Sequence, residues 1–250
     1  MKTMIEEPIE IPAPDGRADG FLYRPQEERR FPGVIYLADI GGIRESNRGM
    51  ARRLSAQGFA VLMPNTFYRT GRPPVMPFPF IPGDERSIKR LSELRAPLTP
   101  EAVDRDASTY VDFLAGHSAA GPGPFGTVGF CFAGALAMRT AATRPDRIAA
   151  MASFHGGGLY KEGDPASPHL LLPRIRARLY FGHAADDRSM PREAIVKLEE
   201  ALAAWGGRYE SETYDGAHHG WTVPDSPAYN EPQAERAFGK LTELLSQALQ

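Results

Sequence analysis

The stretch GTVGFCFAGALAMRT, residues 126–140, decides how this chain is read, and it holds the only cysteine in 250 residues. It leaves an apolar run of strand type, FGTVGF at 125–130, and enters a helical pattern that starts at Cys131. The thiol sits at the junction, with Gly129 two positions before it and Ala133 two after. A lone cysteine is usually a small buried hydrophobe. A strand-to-helix turn that carries a nucleophile, however, needs small residues at those two positions. Strand and helix approach so closely there that larger side chains would collide. The same turn sets the sulfur at a helix N-terminus, where the dipole favours thiolate. The pattern therefore points to a nucleophile elbow.

Outward from the elbow, strand and helix patterns alternate. Upstream, IEEPIEIP and DGFLYRP flank Pro14-Asp15-Gly16 and predict a hairpin. GVIYLA (33–38) and GFAVLMP (58–64) predict buried strands, with a helix between them from about Glu45 to Ala56. A helix is expected over about Thr99–Ala115, just before the elbow strand. Downstream come strand patterns at 148–154, 177–182 and 209–214 and helices over about Pro191–Trp205 and Asn230–Leu249. This order predicts an α/β fold: a mostly parallel central sheet, helices on both faces and an N-terminal antiparallel hairpin. No shift in composition marks a second domain, so residues 1–250 are read as one. The Pro- and aromatic-rich segment at about 65–95 breaks the alternation and is expected to be a long irregular excursion. Loops of that length are usually functional or mobile, so it is the expected seat of substrate choice.

Ligands of open α/β sheets bind beyond the carboxyl ends of the strands. Two acid candidates, Asp186 and Asp187, lie just past ARLYF, and two histidines, His218 and His219, follow YESETY. Nucleophile, acid and base thus occur in the chain order of the α/β-hydrolases. The spare Asp has an ordinary role as a turn or capping residue. His155-Gly156-Gly157-Gly158 matches an oxyanion motif in letters, but that motif acts upstream of the nucleophile, and here it follows. A turn permitted by glycine is the expectation there. The upstream loop is LADIGG; its Ile40 N–H, with that of Phe132, is the expected oxyanion hole.

These residues resemble the dienelactone hydrolase family of α/β-hydrolases, which use a Cys-His-Asp triad. GFCFAG is similar to the family's G-x-C-x-G-G, with Ala133 in place of a glycine. DRSMP resembles D-x-x-V-P and so selects Asp187; YDGAHHGW resembles Y-x-x-A-x-H-x-F and so selects His219. RLSAQGFAVLMPNTFYR resembles the family stretch ending in P-D-L-[FY], with Asn65 for Asp. The resemblance implies a thiol nucleophile, an ester or lactone substrate and no cofactor. It also implies a thiol-activating acid after the third strand, where the family has Glu and this chain has Asp39. Family members that cleave dienelactone hold its carboxylate with arginines, one just after the catalytic His. HGWTVPD offers none, so Phe67, Tyr68, Arg69 and Trp221 are the candidates for substrate contact.

Bulk properties suit a soluble globular protein. Composition is 42% hydrophobic and 24% charged, with a net charge of −2 and no clustered basic face, which argues against nucleic acid. The N-terminus has no signal-like apolar core, no stretch reaches membrane-spanning length, and a single Cys offers neither a disulfide nor a zinc cluster. The expectation is a cytoplasmic monomer or homodimer without metal. Two other readings fit the same residues: a scaffold that binds or senses electrophiles through Cys131 without turnover, and a thioesterase-like hydrolase.

Overall fold

The computed structural model describes residues 4–81 and 83–249. Three strands are buried along their whole length: β3 (Gly33–Leu37), β4 (Ala60–Pro64) and β5 (Phe125–Phe130). A strand apolar on both sides must be covered on both sides, and these are. Successive side chains of β3 alternate between two cores. Val34 and Tyr36 join the one that contains Ala51 and Leu54 of α1 (Glu45–Ala56) and Leu241 and Leu245 of α6 (Glu231–Ala248). Ile35 and Leu37 join the other, with Val111 and Leu114 of α3 (Pro100–Gly116), Ala137 and Met138 of α4 (Ala133–Thr143) and Leu198 of α5 (Arg192–Trp205).

The sheet has eight strands. β1 (Met4–Ala13) and β2 (Gly16–Pro25) form the expected hairpin, and β6 (Ile148–Phe154), β7 (Arg178–Asp186) and β8 (Tyr209–His218) complete the parallel part. The spatial order is β1-β2-β4-β3-β5-β6-β7-β8. Only β1 and β2 run antiparallel to their neighbours. From β3 the chain moves first to one side and then, with β5, to the other. A crevice therefore opens beyond the carboxyl ends of β3 and β5, and Cys131 stands at its edge.

Helix starts follow local chemistry. Thr99 caps α3 by accepting from the Ala102 N–H, with Pro100 in the first turn, where its missing N–H costs nothing. Asn230 caps α6 in the same way. One expectation needs correction. The excursion at 65–95 is not irregular throughout, because α2 spans Glu85–Arg95. Asp84 accepts from the Ser87 N–H and starts that helix as soon as the proline run ends.

Candidate active site

The elbow has the geometry its small residues allow. Cys131 has φ 58°, in the left-handed region that side chains other than glycine rarely adopt. A Cβ on Gly129 would lie 2.0 Å from the Ala133 carbonyl oxygen, and one on Gly134 would lie 2.2 Å from Ser153 Oγ. Helix α4 then begins without a side-chain cap; Phe132 holds the cap position. Gly134 N–H donates to the Cys131 carbonyl and Ala135 N–H to that of Phe132. Among the described residues, the Phe132 and Ile40 N–H groups have no protein acceptor. Helices α1 and α5 also begin without a side-chain cap; α4 differs in that its uncapped N-terminus directly follows the Cys131 turn, which leaves the Phe132 N–H for a ligand.

His219 Nε2 lies 3.0 Å from Cys131 Sγ, and its Nδ1 lies 2.7 Å from Asp187 Oδ2. The other carboxylate oxygen of Asp187 accepts both the N–H and the hydroxyl of Ser189, at 2.8 and 2.6 Å. Burial pushes the Asp187 carboxyl up, but these hydrogen bonds and the imidazolium outweigh it and hold its pKa below the ordinary value. Burial likewise pushes the His219 imidazole down. Its bonds to Asp187 and to the Cys131 sulfur overcome that, and its pKa is raised to about 10. The neighbouring acid and histidine take no part. Asp186 and His218 face each other at 3.5 Å on the exposed rim.

His155 is the residue that sequence reasoning set aside and the structure brings to the site. It directly follows β6, with φ 40°, and is fully buried. Cys131 N–H is shared between the Phe154 carbonyl, at 3.1 Å, and His155 Nδ1, at 3.0 Å. An N–H can only donate, so Nδ1 is bare and the ring proton is on Nε2, which donates to Thr222 Oγ1 at 2.7 Å. Burial, with the His219 charge adding to it, pushes the His155 pKa down to about 3, so this ring stays neutral. The glycines after it are there for close approach. A Cβ on Gly156 would meet Ser153 Oγ at 2.2 Å, and one on Gly157 would meet Ser189 Oγ at 2.7 Å.

The other candidates have structural partners. Asp39 is held by Arg44 through both carboxylate oxygens, at 2.5 and 2.9 Å, and the same guanidinium reaches Asp225 at 2.7 Å. That network ties the loop of Ile40 to the loop that follows His219; it does not place the Asp39 carboxylate on the sulfur. Phe67 is buried against Phe132, and Tyr68 donates to Asp106. Arg69 makes a two-pronged pair with Asp106 and also holds Asp15 in the hairpin turn. Trp221 is fully buried, packed on Tyr214 and edge-on to Phe154. None of these four lines the cavity at the sulfur. That cavity, of about 490 Å³, is walled by Leu98, Pro100 and Leu136 on one side and Gly157, Gly158 and Pro168 on the other. Arg69→Met is expected to act on stability rather than on substrate affinity. It strands the buried Asp106 carboxylate, at a cost of about 3 kcal/mol, which a urea unfolding midpoint would register.

No helix among the described residues is long and apolar enough to cross a membrane, and none of their His, Cys, Asp and Glu side chains cluster as a metal site would require.

Comparison with known proteins agrees with this architecture. A protein of Synechocystis sp. (strain ATCC 27184 / PCC 6803 / Kazusa) named "Putative carboxymethylenebutenolidase" is 24% identical over 248 residues, covering 96% of each chain. The carboxymethylenebutenolidase of Rhodococcus opacus is 28% identical over 199 residues, 78% of this chain and 73% of that one. Among solved structures, the "Putative Dienelactone Hydrolase from Klebsiella pneumoniae subsp. pneumoniae MGH 78578" superposes with a TM-score of 0.87 at 23% identity, covering 98% of this chain and 99% of that one. A dienelactone hydrolase-like promiscuous phosphotriesterase from metagenomic libraries superposes with a TM-score of 0.80 at 21% identity over 99% of each. At such identities the superpositions speak for the α/β-hydrolase fold. Residues 18–249 match the sequence model of the dienelactone hydrolase family, and the chain belongs to that family.

Proposed function

We propose that this protein hydrolyses carboxylic esters or lactones through a thioester formed on Cys131. The observation that carries the reading is the unbroken chain from Cys131 Sγ through both nitrogens of His219 to Asp187, at 3.0 and 2.7 Å, beside an uncapped helix N-terminus. The sulfur attacks the carbonyl carbon, and the thiol proton resides on His219 Nε2. The carbonyl electron pair moves to oxygen, where the Phe132 and Ile40 N–H groups receive it. Collapse expels the alkoxide, which takes the proton from His219 Nε2. A water then gives its proton to the same nitrogen and attacks the thioester, releasing acid and thiol. Asp187 fixes the tautomer and stabilises the imidazolium. For a lactone, acyl and alkoxide are one molecule, and hydrolysis opens the ring.

Mixing the protein with p-nitrophenyl acetate, quenching in acid and weighing the intact chain tests this. The expected result is one added acetyl group on the Cys131 peptide, removed by hydroxylamine, together with many equivalents of nitrophenolate released. Turnover without Cys131 acetylation at any quench time would overturn the thioester route. Stable acetylation with a single equivalent of nitrophenolate would favour the electrophile-binding reading. Lactones and short aryl esters run side by side would then rank the substrate class.

A further inference from the structure

His155 is a buried ionisable side chain that the route through Cys131, His219 and Asp187 does not use. It is 1% exposed and does not wall the cavity at the sulfur, so it is not placed to touch a substrate. Both of its ring nitrogens are nonetheless spent on the two segments that carry the reacting groups. Nδ1 accepts from the Cys131 N–H, and Nε2 donates to Thr222.

Thr222 belongs to the loop of the base. Between His218 and Val223 the chain turns twice on itself: the Trp221 N–H donates to the His218 carbonyl, and the Val223 N–H donates to that of Gly220. Such a segment moves as one piece, so what holds Thr222 also holds the backbone of His219. The His155 ring also meets the His219 imidazole edge to face, with centroids 5.3 Å apart and planes at 68°. The nucleophile's side is confined as well. Cys131 keeps φ 58°, and its N–H is shared between His155 and the Phe154 carbonyl.

This link needs an acceptor and a donor on one small side chain, aimed in diverging directions. Neutral imidazole provides both. Protonation would turn Nδ1 into a donor facing a donor. Burial first, and then the His219 charge, push the ring's pKa down to about 3 against the opposing pull of Asp187, so the link persists at neutral pH.

Resting on the reading of Cys131 as nucleophile and His219 as its base, we propose that His155 is a positioning residue: its neutral ring ties the peptide of the nucleophile to the loop of the base and so sets Cys131 Sγ against His219 Nε2. Asp187 fixes how the His219 ring is turned; His155 fixes where that ring stands relative to the sulfur. The contact it guards is 3.0 Å long. Misplacing such a pair by about 1 Å costs on the order of 10²-fold in rate.

Two substitutions break the link from opposite ends. Thr222→Val keeps the shape and removes the acceptor. His155→Asn keeps an acceptor for the Cys131 N–H and suits a positive φ, but its side chain is too short to reach Thr222. Each is expected to lower kcat for p-nitrophenyl acetate by about 10- to 100-fold while KM changes by less than about threefold. Each is also expected to slow the alkylation of Cys131 by iodoacetamide at pH 7 towards the rate of His219→Ala. The double variant is expected to lose no more than the worse single one, because both remove the same link. Thr222→Ser restores the hydroxyl and is expected to recover most of both losses. Variants that melt lower yet keep the parent's kcat and alkylation rate would overturn the assignment, since that is the mark of a merely structural residue. So would additive losses in the double variant, or a Thr222→Ser no better than Thr222→Val. Alkylation needs no ester, so it tests the link whatever the protein cleaves. A parent alkylated no faster than His219→Ala would overturn the thiol reading and this one together; a faster parent whose rate neither substitution moves would overturn this one alone.

Discussion

Cys131→Ala and His219→Ala are each expected to lower kcat/KM for p-nitrophenyl acetate by about 10⁴-fold, and the double variant by hardly more. Groups that act as a unit are lost as a unit, so removing the second member subtracts little. The geometry makes them one unit. His219 is the only described group within hydrogen-bonding distance of the sulfur, and its far nitrogen is spent on Asp187. Asp187→Asn is expected to cost about 10²- to 10⁴-fold, because its amide can present N–H to Nδ1 and so stabilise the wrong tautomer. Additive losses, or a His219→Ala variant that keeps a tenth of the activity, would sink the assignment. The same histidine gives a stability signature. Its pKa is raised from about 6.5 in the unfolded chain to about 10 in the fold. A raised pKa stabilises the fold fully below the unfolded value, and that contribution is lost as pH rises through the folded one. The urea midpoint of the parent should therefore exceed that of His219→Ala most at pH 6, and the gap should close towards pH 10.

The parts of this site that were legible in sequence are those set by neighbours in the chain. Gly129 and Ala133 announce a tight strand-to-helix junction because the clash they avoid is with residues four or five positions away. The strand patterns announce a sheet because buried strands must be apolar on both faces. Asp187 and His219 needed the family resemblance, since Asp186 and His218 have the same chemistry one position earlier. The roles of the remaining residues depend on contacts between distant segments. His155 meets the elbow only because β5 and β6 pair in register, Phe130 opposite Phe154, so that the chains leave the sheet side by side. Nothing local to FHGGGLY contains that register. Arg69 looked like a cation at a substrate entrance, but its partners come from a hairpin turn and from α3. Asp39 occupies the position of an activating acid, yet Arg44, five residues on, captures it. A shorter acid beside a long, flexible cation pairs locally before it reaches across a crevice. Helix α2 is not legible because the prolines before Asp84 mask a sound capping signal, and the short 3-10 helix at Pro168–Arg174, itself interrupted by Pro173, has no clear pattern in the sequence either.

The glycines of the elbow should separate two kinds of crowding. Gly129→Ala is expected to destabilise the protein by about 3 kcal/mol, the upper end for an overpacked core, and so to lower Tm by about 6–12 °C for a chain of this size. The new Cβ would lie 2.0 Å from the Ala133 carbonyl oxygen and 2.4 Å from its carbon, and neither can move without unseating the first turn of α4. That turn carries the Phe132 N–H, so activity should fall further than the loss of folded protein explains. Gly134→Ala meets an obstacle of another kind. Its nearest contact is a side-chain oxygen, Ser153 Oγ at 2.2 Å, with the Gly156 backbone next at 3.0 Å. Ser153 Oγ is buried and has no hydrogen-bond partner among the described residues, so replacing it removes none of their bonds. Ser153→Ala should therefore recover much of the stability lost in Gly134→Ala and none of that lost in Gly129→Ala. Thermal melts of the three single variants, the two double variants and the parent give both interaction energies. Equal rescue at the two positions would mean that the elbow yields as a whole, and that the rigid approach of β5 to α4 is not what holds Cys131 at a positive φ.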